Sequence, residues 1–281
     1  MNMSSPSDFH ERRRPERGSP DIRAGCSGET LPVSFLLVLL VFILFLGVIP
    51  LLLLRFPVDL QAGAFPEVLT VFLQVYPMHL ALLCAVVLPV WSAECPRLAG
   101  LPFPEARDLL FRCLDFNSPP REWKHRVLPL FLLTLSGIAC LSRFSGWLQQ
   151  YAGMDSAPQP AIGLAMHCDL PTFAVLALGA VFVAPVTEEL AFRRVIYGGF
   201  KLLAGEKCAF LMTALFFTAI HFSLSKALPL FFLGCVLQSV RNRSGGITIP
   251  VILHAGNNLL AMSVVLTARI MNGAGLPFIS V

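Results

Sequence analysis

Two adjacent carboxylates, Glu188 and Glu189, close the apolar run "PTFAVLALGAVFV" (171–183), and Arg193 and Arg194 follow within five residues of the second acid. On a helix, Glu189 and Arg193 are four apart, share a face and can pair. Glu188 is rotated about 100° away, free to face another partner. Further along, Phe217 and His221 are four apart in "FFTAIHF", and His254 and Asn258 are four apart in "PVILHAGNNLL". Pro185, just upstream of the acids, can kink their helix.

These residue types make a coherent chemical set. A carboxylate shielded by apolar walls is pushed toward the range of a general base. With a neutral histidine it can hold and deprotonate a water. A second histidine with a neighbouring amide offers donors for the oxyanion formed when water attacks a peptide carbonyl. An arginine bound to the second acid keeps that acid ionised, so the two carboxyls need not titrate alike. The set is that of a hydrolase without a nucleophilic side chain. Each piece also has a plainer reading. The acids and arginines fit a solvated helix end, a histidine can simply bond a backbone carbonyl, and asparagine can hydrogen-bond across membrane helices. All three pieces being inert together is the less economical account.

The elements that must position them are set by composition. Of 281 residues, 56% are apolar and 14% charged, with a mean hydropathy of +0.72. A soluble domain carries about 25% charged residues, so the balance points to a membrane. The expected fold class is an all-α polytopic membrane protein of about 7–8 transmembrane helices around a polar intramembrane cavity. Apolar segments fall at about 32–54, 66–91, 127–149, 171–187, 208–224, 227–240 and 247–269. If the fourth ends at 187, Glu188 lies at the membrane edge while His221 lies near the far end of its own span, roughly 20 Å away along the normal. The conflict eases if the helix runs on through "LAFRRVIYGGF", which is the expectation here. "FPEARDLLFRCLDF" in the loop 92–126 has near-helical spacing and suits either an interfacial or a solvated helix. "QSVRNRSGG" (238–246) reads as a basic turn whose glycines end one helix before the next.

Positive charge orients the chain. Arg12, Arg13, Arg14, Arg17 and Arg23 lie in the N-terminal tail, six Lys and Arg lie in loop 92–126, and loop 150–170 has none. The N-terminus is therefore expected in the cytoplasm, with the protein multi-pass in a bacterial inner membrane. The basic tail reads as that flank, with no nucleic-acid partner. Its Pro, Ser and Gly content predicts disorder. The eight cysteines show no CxxC or Cys/His ligand spacing and read as small core hydrophobes rather than a disulfide framework.

Absences narrow the chemistry. No HExxH occurs, since "HERRR" fails it, which removes one zinc protease plan. No GxSxG supplies a serine nucleophile, and no YD with GxGD supplies an aspartyl pair. The order "EELAFR" (188–193), "FTAIH" (217–221) and "HAGNN" (254–258) instead resembles the CPBP intramembrane proteases, the Abi or CAAX-protease family, similar to the Ras-converting CAAX endopeptidase. That family carries EExxxR, FxxxH and HxxxN on separate membrane helices. Each motif alone is weak, and their order in an apolar chain is the signal.

The resemblance implies that Glu188 and His221 activate water and that His254 and Asn258 form the oxyanion hole. Glu189 and Arg193 would support the site, and Phe217 would pack against it. No resident cofactor is expected, because the Asn258 amide suits an oxyanion better than zinc, with zinc on Glu188, His221 and His254 as the alternative. The implied partners are membrane lipids and a protein or peptide substrate that can be lipidated. The chain divides into a disordered cytoplasmic tail (1–30), two N-terminal helices with an interfacial loop (31–125), the protease core (126–270) and a short C-terminal tail (271–281). A non-enzymatic immunity or scaffold protein of the same fold is the competing class.

Overall fold

The computed structural model describes residues 30–55, 67–154 and 160–273, and these form helices with no strand among them. The expected tail 1–30 lies outside the described residues except for Thr30, as does the C-terminal tail beyond 273. In chain order the helices are α1 (Leu31–Leu52), α2 (Glu67–Leu98), α3 (Phe103–Cys113), α4 (Trp123–Tyr151), α5 (Pro160–His167), α6 (Leu170–Ala219), α7 (Ala227–Ser244) and α8 (Thr248–Gly273). Five of them, α1, α2, α4, α6 and α8, are long and apolar enough to cross a membrane. Large apolar side chains such as Leu36, Leu80, Leu133, Phe182 and Leu203 stand exposed on these helices. That is the surface a bilayer covers and water would not tolerate.

The segments expected at 208–224 and 227–240 are helical but differ from the other spans. The first is the short second arm of α6. The second, α7, carries Gln238, Asn242, Arg241 and Arg243 in its last two turns, so its hydropathy falls below that of the five. The expected helix in loop 92–126 is α3; it buries Leu109 and Cys113 and leaves Phe103 exposed. Helix α5 lies where a bare loop was expected. After it, Asp169 caps α6 by accepting the Thr172 amide at 2.8 Å, a bond that holds the Asp169 carboxyl below the usual carboxylate range.

Helix α6 positions the acids, and it does run on past residue 187. It reaches Gly205, whose φ of 77° and ψ of 173° belong to a region essentially restricted to glycine. There the chain folds back on itself. Phe192 lies 13 positions before that glycine and Phe217 lies 12 after it, and their rings meet at 5.3 Å. By the same register Glu188, 17 positions before, and His221, 16 after, come to similar depth. The 20 Å conflict therefore disappears for a reason beyond helix extension: the two arms are antiparallel about Gly205.

The stretch of α6 around the acids is enclosed. From Ala184 to Tyr197 every residue except Val186 is buried. Helices α1 and α2 supply much of that cover, with Val38, Phe42, Leu82, Val86 and Val90 packed with Phe192, Val195 and Ile196. The closeness of α1 depends on Gly198 and Gly199, because a Cβ at Gly199 would clash with the Phe35 ring and one at Gly198 with Leu31.

A clasp at the C-terminal end of α7 comes from the loop after α3. Asp115, at φ 68°, accepts the Ile247 amide at 2.9 Å and takes Arg241 Nε and Nη2 on its Oδ2 at 3.0 and 2.9 Å. Burial pushes its carboxyl up from the usual range against the pull of Arg241. Gly245 ends α7 in the left-handed conformation, as the two-glycine turn implied. A Cβ at Gly246 would lie 2.6 Å from the Asp115 carbonyl. Arg194 is buried and donates to the Cys113 carbonyl at 2.9 Å. Cys113 itself is disulfide-bonded. This corrects the reading of all eight cysteines as plain core hydrophobes, since absent local spacing says nothing of bridges made across a fold. Cys84, Cys95, Cys140 and Cys208 are free and exposed, which corrects it further.

Candidate active site

Two wide turns frame the acids. The backbone of α6 opens into π geometry at Gly179–Val183 and again at Leu190–Ile196, immediately after Glu189. Such turns disturb the regular i to i−4 ladder and recur at functional sites. Here the first turn leaves the Ala180 carbonyl accepting from Asn258 Nδ2 of α8 at 2.8 Å. The bond fixes Asn258 against α6 and leaves its second amide hydrogen uncommitted to this carbonyl.

Glu189 is fully buried, as is Arg193. Arg193 Nε donates to Glu189 Oε2 at 2.8 Å, and His254 Nδ1 lies 3.0 Å from Glu189 Oε1. A carboxylate held by an arginine can only accept, so His254 carries its proton at Nδ1. An Nε2 proton then comes only with the doubly protonated ring. The guanidinium also lies over the Phe217 ring, 5.0 Å from the centroid. That contact covers nitrogens that otherwise have no hydrogen-bond partner and adds a cation–π attraction.

Glu188 faces elsewhere, as its rotation on the helix predicts. Its Oε2 is buried with no hydrogen-bond partner and stands 3.8 Å from His254 Nε2, too far for a direct bond. A buried carboxylate oxygen left unpaired beside an imidazole is costly unless something else fills the role. His221 lies just past the end of α6 rather than within it, in the turn before α7. Its Nδ1 donates to the Phe217 carbonyl at 2.7 Å, since a carbonyl only accepts, which makes Nε2 the lone-pair nitrogen of the neutral ring. The Phe217 ring sits between the two imidazoles, 4.8 Å from His221 and 5.9 Å from His254.

The structure thus brings Glu188, Glu189, Arg193, Phe217 and His254 into direct contact and places His221 beside Phe217. No hydrogen bond or ion pair joins His221 to Glu188. Among the described residues no group of three or more His, Cys, Asp and Glu side chains is gathered to hold a metal.

Sequence reasoning passed over His79 of α2, which is buried with its Nδ1 2.8 Å from Thr187 Oγ1. The signal was present. A lone histidine in "YPMHLALL" is an ionisable group inside a span, and such groups mark functional sites by default.

Residues 170–260 match the family model described as Type II CAAX prenyl endopeptidase Rce1-like. The match runs from the start of α6 into α8, holds all three motifs, and supports a CAAX-protease family assignment. It is narrower than the expected core of 126–270 and leaves out α1, α2 and α4. No curated protein and no solved structure matches the chain. With its apolar helices, the match points to an integral membrane protein.

Proposed function

We propose that the protein is an intramembrane endopeptidase of the CAAX-protease type. It hydrolyses a peptide bond of a protein or peptide substrate with water activated by glutamate and histidine. The observation that carries this reading is Glu188: buried, unpartnered at Oε2, and next to a second carboxylate whose charge is already held by Arg193 and His254. Glu188 takes a proton from water, and the hydroxide adds to the scissile carbonyl. The proton passes to the leaving amine as the C–N bond breaks. The His221 Nε2 lone pair assists by relaying that proton from Glu188 to the leaving amine. The doubly protonated His254 and the spare Asn258 hydrogen receive the oxyanion.

The substrate binds from the lipid phase and can be lipidated, and no nucleic acid is involved. The seven helical arms, counting both halves of α6 and α7, make a multi-pass chain in a bacterial inner membrane. The asymmetry of Lys and Arg puts the N-terminus in the cytoplasm. The mechanism uses no resident metal, since the Asn258 amide suits an oxyanion better than zinc.

Two measurements on the purified, reconstituted protein test the mechanism. With a fluorogenic farnesylated peptide ending in a CAAX sequence, Asn258→Ala is expected to lower turnover about 10²–10³-fold, the loss typical of one oxyanion donor. An unchanged rate removes Asn258 from the site. Prolonged treatment with a strong chelator is expected to leave cleavage intact. Inactivation that zinc restores would replace the metal-free mechanism with a zinc one.

A further inference from the structure

Three imidazoles come from three places in the fold, and each is held at Nδ1. His221 donates to the Phe217 carbonyl and His254 to Glu189. The third, His79, is 6% exposed and comes from α2, outside the segment that matches the family model.

Its tautomer follows from counting protons. The Thr187 hydroxyl has one hydrogen, and two carbonyls stand ready for it, Val183 at 2.9 Å and Ala184 at 3.2 Å. Both can only accept, and sending the hydroxyl proton to one of them lets Thr187 make two bonds rather than one. Thr187 Oγ1 must then accept from His79 Nδ1 at 2.8 Å. The neutral ring keeps its lone pair at Nε2, which has no hydrogen-bond partner among the described residues. Thr187 immediately precedes Glu188, so the His79 bond is made one residue from the candidate base. Glu188 Oε2 is unpartnered as well. Thr187, which His79 holds, and Glu188, whose Oε2 lacks a partner, are adjacent on one turn of α6, and a water between Nε2 and Oε2 would satisfy both.

We propose that His79 is a positioning residue of the Glu188 site. Through Nδ1 it fixes the turn of α6 that carries Glu188. Through Nε2 it accepts the second hydrogen of the water that Glu188 deprotonates, so that an oxygen lone pair faces the substrate. Helix α2 is then part of the active site rather than packing around it. This inference rests on the function proposed above, and the test separates the two.

The conservative variant is His79→Asn, whose amide nitrogen occupies the place of Nδ1 and keeps the bond to Thr187 but offers no acceptor where Nε2 stood. His79→Leu removes both. On the reconstituted full-length protein with the farnesylated peptide, His79→Asn is expected to unfold at the wild-type temperature. Its kcat should fall about 10–100-fold, within the range of a lost acid–base partner, at an unchanged KM. His79→Leu should lose both stability and turnover. If Glu188→Gln is inactive and His79→Asn turns over like wild type, the site stands and the inference about His79 falls. If Glu188→Gln cleaves normally, the function itself is wrong.

A measurement independent of cleavage uses nitrogen-15 histidine NMR on the solubilised protein. His79 should show a protonated Nδ1 and an unprotonated Nε2, and its Nε2 signal should move in Glu188→Gln. A ring protonated at Nε2 instead, or an Nε2 signal indifferent to Glu188, overturns the proposal whether or not the peptide is cleaved.

Discussion

Glu188→Gln is expected to abolish peptide hydrolysis while leaving the fold intact. The substitution keeps the shape of the side chain and removes only its ability to take a proton. Little structure depends on that ability, because Oε2 makes no hydrogen bond and its nearest charged neighbour, His254 Nε2, is 3.8 Å away. The variant should elute and unfold like the wild type in detergent. Turnover should drop by about 10⁴-fold, the upper end for a positioned base, because no second group of the site can replace it. Glu189 is tied to Arg193 and His254. Substrates of the wild type should accumulate uncut in membranes of cells that carry the variant, which a comparison of the two membrane proteomes would read directly. Cleavage at the wild-type rate would show that Glu188 is not the base.

The second large effect is on stability. Arg193→Met leaves Glu189 buried with half of its partners, and breaking a buried ion pair from one side costs about 3–5 kcal/mol. For a chain of this size each kcal/mol is worth roughly 2–4 °C in Tm, so thermal unfolding in detergent should begin roughly 10 °C lower. Replacing both members, as in Glu189→Leu with Arg193→Met, should recover most of that loss, because a buried pair is often no better than apolar residues of similar volume. Activity should not return with stability. Without Glu189 nothing holds the proton of His254 at Nδ1, and the ring is free to turn. A double variant that is both stable and active would show that the pair serves the fold alone. A single variant as stable as the wild type would show that Arg193 does not hold Glu189 in place.

Much of this was written in the order of residues. The four-residue spacing of Glu189 and Arg193 determines that they share a helical face, and the 100° offset of Glu188 determines that it does not join them. Both follow from helix geometry alone. The apolar composition determines that the chain is helical, because backbone groups in a bilayer must be satisfied within the segment. Local order also placed the turn at Gly245 and Gly246.

Other features are properties of packing between segments far apart in sequence. The depth of Glu188 relative to His221 depends on one backbone conformation, at Gly205, that reverses a helix which hydropathy reads as two unrelated spans. The buried state of Arg194 depends on the Cys113 carbonyl reaching it from the loop after α3. That Glu189 holds His254, while His254 Nε2 stands unbonded near Glu188, depends on the crossing of α6 and α8, which no spacing in either helix encodes. His79 makes the same point, since its position in α2 says only that an ionisable group is buried. The sequence by itself determined which residues could do the chemistry. The tertiary structure decided which nitrogen of each histidine carries the proton, because that depends on which acceptor the fold brings to it.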